Sequence, residues 1–160
     1  MERGGAMIHG FFLWLGQTGL GVFMRQSTWA FAVVETIHLL GLAVLGGVVL
    51  VVNLTAGRVL FRRSDGAAIV AAARPAWLAS LAVMLLSGGL LVASKPIRYY
   101  LDGTFRAKMV LLALAIVASV LVQHIATRPR SSPALIRTLA VLALLLWFGV
   151  GVCGRIIGFL

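Results

Sequence analysis

The sequence predicts an all-α, polytopic membrane protein: a four-helix bundle preceded by an N-terminal interfacial amphipathic helix. Three observations carry that prediction. Hydrophobic residues make up 61% of the 160-residue chain and the mean hydropathy is +1.06; soluble domains are about half apolar. Four stretches each supply the ~20 apolar residues that a bilayer-spanning helix needs. Lys and Arg fall between those stretches, where membrane helices carry them. The net charge of +10 therefore forms no one-sided basic stripe, and nucleic acid is not an expected partner.

The elements follow in order. Residues 1–26 form an N-terminal segment, and residues 27–160 the four-span domain. Between Met7 and Met24 the chain is apolar, with His9, Gly16 and Gln17 recurring on one side. That pattern predicts a helix lying in the membrane plane, with a fifth, poorly formed span as the alternative. The first span covers about residues 28–54. The second covers about 76–94 and is opened by Arg74-Pro75, since proline suits the first helical turn. The third, about 105–127, follows the turn Asp102-Gly103-Thr104. The fourth, about 133–154, starts with Ser132-Pro133, a capping hydroxyl ahead of an N1 proline. Short connections make neighbouring spans antiparallel. Trp29, Trp77 and Tyr99-Tyr100 stand at span ends and read as interface anchors. Asn53, Ser119 and Gln123 read as interhelical hydrogen-bonding residues.

The loop charges do not orient the bundle by themselves. One side carries Arg3, Arg25, Lys95, Arg98, Arg106, Lys108 and Arg155; the other carries Arg58, Arg62, Arg63, Arg74, Arg128, Arg130 and Arg137. The positive-inside rule expects an imbalance. If the cations of the Lys95–Lys108 loop serve an anionic ligand instead, the Arg58–Arg74 side is cytoplasmic and both termini lie outside.

Ionisable groups in mid-membrane cost at least ~2.5 kcal/mol and mark function. The stretch VETIHLLG from Val34 to Gly41 sets Glu35 and His38 one turn apart, with His38 about 10 residues, roughly 15 Å, into its helix. A neutral imidazole there is suited to bind haem iron or the magnesium of a chlorophyll-type pigment; it equally suits a hydrogen bond within the bundle. Glu35 is placed to accept the ring N–H and orient it. His124 is the second candidate metal ligand, but it lies near the opposite membrane face, about 10 Å off in depth. Met84 has about the depth of His38. Arg98, Arg106 and Lys108 stand at the membrane edge nearest His38 and suit haem propionates.

These residues carry a resemblance. W-x(5)-E-x-x-H-L-L-G from Trp29, S-G-G-L-L from Ser87, F-R-x-K from Phe105 and the Gln123-His124 pair resemble a family of small bacterial inner-membrane proteins whose domain is catalogued as of unknown function. The resemblance covers about residues 28–128. It maps the family's histidines onto His38 and His124 and its F-R-x-K onto Phe105–Lys108. The family's D-L-R after the first helix is replaced here by Asn53-Leu54-Thr55. More distantly, the layout is similar to membrane b-type cytochromes and copper-resistance D proteins, which implies a four-helix bundle and haem.

The expected function is an integral membrane subunit that binds a tetrapyrrole, b-type haem, for electron transfer within a larger redox complex. A chlorophyll-type pigment held by His38 in a photosynthetic complex is the variant of that reading. The alternative is a structural accessory subunit of a respiratory or photosynthetic complex without its own cofactor. Proton transport is a poorer match, because Glu35 is the one acid within a span. Activity as an autonomous enzyme is not expected, since no nucleophile–base pair, phosphate-binding loop or closed metal site is present.

Overall fold

The computed structural model describes residues 2–61, 65–128 and 132–159, and of residues 2–6 the backbone alone. The chain forms α1 (Glu2–Gln17), α2 (Gly19–Gln26), α3 (Thr28–Ala56), α4 (Gly66–Ser94), α5 (Pro96–Leu101), α6 (Gly103–Ala126) and α7 (Pro133–Phe159). The described residues contain no strand. α3, α4, α6 and α7 are long and apolar enough to cross a membrane. Arg62, Arg63 and Arg130, three of the loop cations that bear on orientation, lie outside the described residues.

Local chemistry sets the helix starts. Ser27 Oγ accepts from Ala30 N at the head of α3. Asp65 Oδ1 accepts from Ala67 N and Ala68 N at the head of α4. Asp102 Oδ1 accepts from Thr104 N at 2.7 Å at the head of α6. Each side chain satisfies an N–H that the helix itself leaves open. Two of the four carboxylates in the chain are therefore caps.

α4 starts at Gly66, well before the expected position near Ala76, and Pro75 lies inside it. The Asp65 cap and the alanine-rich run GAAIVAAA favour helix there. A proline removes one N–H from the ladder, a break that membrane helices accommodate. α7 continues to Phe159, past the expected end near residue 154. The loop before the third span contains the short helix α5.

The spans assemble as two closely packed pairs, α3 with α4 and α6 with α7, joined chiefly through α3 against α7. One core layer holds Val52, Val70, Ala118, Val122, Ala140 and Ala143. The small side chains on α6 and α7 let those helices approach closely. A second layer holds Leu45, Val49, Trp77 and Leu81. Trp77 is 4% exposed, so it is a core residue and not an interface anchor. α4 begins ten residues before the expected start, which places Trp77 within the span and not at its head. Trp29, at the head of α3, is 84% exposed. Trp147 Nε1 donates to Ser119 Oγ at 2.8 Å, tying α7 to α6. Ser119 thus forms the interhelical bond expected of it; the Asn53 amide nitrogen instead donates back to Val49 O on its own helix.

The N-terminal segment is not one flat helix. α1 and α2 meet at 63°, the geometry of a broken span or a re-entrant segment. Thr18 makes the corner: its Oγ1 accepts from Gly21 N and donates to Leu15 O at 2.7 Å. Arg25 Nη2 braces the corner by donating to Gly16 O at 2.7 Å. A Cβ on Gly21 would lie 2.6 Å from Leu15 O and 3.0 Å from Ala93 O. Both are backbone atoms, so only glycine lets the corner seat on the end of α4. α1 packs on α5, where His9 and Phe12 meet Tyr100 and Phe12 meets Phe105. Tyr99 also meets Phe105. The tyrosine pair therefore joins the N-terminal arm to the bundle, a role that span-end position alone did not reveal.

Replacing Ser119 by Ala leaves the Trp147 indole N–H without its acceptor and should destabilise the bundle by about 1–3 kcal/mol. Unfolding in detergent micelles followed by circular dichroism checks this, and Trp147→Phe on the Ser119→Ala background should recover part of the loss.

Candidate functional site

His38 sits on α3 where that helix crosses α4. Its Nδ1 lies 2.8 Å from Ser87 Oγ. The Ser87 hydroxyl also lies 2.6 Å from Val83 O, one turn back on α4. A hydroxyl carries one proton, and the carbonyl can only accept. Ser87 therefore donates to Val83 O and accepts from His38 Nδ1–H. For a neutral imidazole this assigns the tautomer: the proton is on Nδ1 and the lone pair on Nε2. Nε2 has no hydrogen-bond partner among the described residues.

Gly88 makes room for the ring. A Cβ there would lie 3.3 Å from His38 Cε1. On the other side of the seam, a Cβ on Gly41 would lie 3.0 Å from Val83 Cγ1 and 3.5 Å from Met84 Sδ. Gly41 of the H-L-L-G stretch and Gly88 of the S-G-G stretch thus face one another's helices across one contact. Met84 packs into this seam beside the Leu45–Trp77 layer.

Glu35 lies one turn before His38 on α3, but it is exposed on the outer face of the bundle. No hydrogen bond joins it to His38; the residue that orients the imidazole is Ser87. Spacing alone favoured Glu35, because it ranks residues on one helix and is blind to the neighbour. The S-G-G-L-L stretch was the available signal for Ser87. Glu35 instead lies near α5. Burial raises the Tyr99 phenol above its ordinary value, and the Glu35 and Asp102 carboxylates push the same way against Arg98.

The cations divide. Lys108 is half-buried, lies against α7 with Nζ 3.2 Å from where a Gly154 Cβ would be, and is within electrostatic reach of both Cys153 and the His38 ring. Arg98 on α5 and Arg106 on α6 are exposed at the same end of the bundle. The end of the molecule near His38 thus gathers Lys108, Arg98, Arg106, Tyr99 and the outward carboxylate of Glu35.

His124 is not part of this cluster. It is exposed, and its Nε2 takes a hydrogen bond from Arg128 Nη2 at 2.6 Å. It lines a cavity with Arg74 and Trp77 of α4. Trp77 and Ser87 are ten residues apart on α4, roughly 15 Å along the axis. His38 and His124 therefore stand at different levels, and the structure does not bring them to one metal. No group of three or more His, Cys, Asp or Glu side chains clusters as a metal site among the described residues.

The fold and this site define an all-α, four-span membrane protein with an imidazole clasped between its first two spans. The chain belongs to DUF6644, a family of unknown function, which it matches over residues 11–160. No curated protein and no solved structure matches it.

Ser87→Ala removes the acceptor for the buried ring N–H and should lower stability by about 1–3 kcal/mol. Gly88→Val should loosen the α3–α4 seam by a similar amount, about 1–3 kcal/mol, by overpacking it. Thermal unfolding of the purified variants in one detergent measures both.

Proposed function

We propose that this chain is an integral subunit of a bacterial inner-membrane redox complex and holds one tetrapyrrole, b-type haem, through His38. The observation that carries the reading is the tautomer. The Ser87 bond anchors Nδ1–H and leaves Nε2 available as a neutral nitrogen ligand, held in orientation by its hydrogen-bond partner in the way ligating imidazoles are. Haem, when bound, supplies one-electron chemistry that the protein lacks.

The residues fit part of such a site. His38 offers one axial nitrogen at mid-depth in α3. Lys108 supplies a half-buried cation close by, and Arg98 and Arg106 stand at the same end, a set suited to two propionates. His124, committed elsewhere, does not complete a pair of axial ligands with His38. A second protein ligand to the iron would have to come from another subunit. A chlorophyll-type pigment needs one axial ligand only, and that is what the chain offers. Glu35 faces outward beside this position, where it meets either a partner subunit or the cofactor's edge.

A second reading has its own support. The His38–Ser87 bond is complete as an interhelical clasp, and large apolar side chains cover the outer faces: Leu39, Leu40 and Leu86 are 57%, 63% and 71% exposed. On that reading the protein is a structural accessory subunit without a cofactor, and lipid or partner helices cover these faces.

The decisive measurement is an absorption spectrum of protein purified in detergent from its native membrane, oxidised and then reduced, with pigment extraction from the same sample. A reduced-minus-oxidised haem band is expected. His38→Ala should remove most of it, His124→Ala should leave it, and joint replacement of Arg106 and Lys108 should weaken retention without blocking insertion. Chlorin bands would move the assignment to a pigment. A colourless, folded native protein would favour the structural subunit.

A further inference from the structure

We draw no further inference here: the strongest candidate, the outer face of α3 that carries the exposed carboxylate of Glu35 and the bare backbone of Gly46 and Gly47, carries nothing because no feature of the structure shows what covers it.

Discussion

Polar groups placed in hydrocarbon must find their partners inside the protein, and that constraint organises this bundle. The span serines show the simplest solution. Ser80, Ser87 and Ser94 of α4 each donate to a carbonyl of the preceding turn, so the hydroxyl proton is satisfied without any neighbour. Ser87 and Ser119 then go further. With its proton spent on Val83 O, Ser87 still has lone pairs to accept the His38 N–H. Ser119 Oγ likewise accepts from the indole N–H of Trp147, with no bond of its own to the preceding turn among the described residues. These two bonds tie α3 to α4 and α7 to α6, the same two pairs that pack most closely. Hydrogen bonding and packing thus agree about which helices belong together.

Close approach makes those bonds possible. A 2.8 Å bond from His38 to Ser87 requires the two helix backbones to come together where a bulky side chain would keep them apart. Gly88 supplies the space under the ring and Gly41 the space opposite Val83. Small residues are the usual means by which membrane helices pack, because burying apolar surface gains little when lipid is equally apolar. The same economy appears at Gly21, where the N-terminal arm turns onto the end of α4. Aromatic contacts between Phe12, Tyr99, Tyr100 and Phe105 complete that junction and leave the outer faces of α1 and α2 apolar.

The constraint is left unmet in one region. Asn53 Oδ1, Thr55 Oγ1, Trp77 Nε1 and Gln123 Nε2 are buried without partners, and they come from three spans. The opposite end, near His38, shows a different imbalance: charged groups that are exposed or half-buried and make no ion pair with one another. The molecule therefore has two polar ends of unlike character. One holds an imidazole beside cations, and the other holds buried polar atoms without partners.

The number of spans and their approximate positions follow from quantities that run along one chain: apolar length, turn residues and loop charge. These were legible in the sequence, as was the position of His38, an ionisable group well inside a span. Boundaries were less legible where helix propensity outweighed a break signal, as at Pro75 within α4. What lies across from each residue was not legible at all. Same-helix spacing pointed to Glu35 as the partner of His38, whereas the partner is Ser87, 49 positions away. Position at a span end pointed to Trp77 as an anchor, whereas it is buried in the core. Local sequence determines that a helix forms and how long it is. How far that helix is rotated about its axis, and which neighbour it faces, depend on packing among all four spans, so only the tertiary structure decided them.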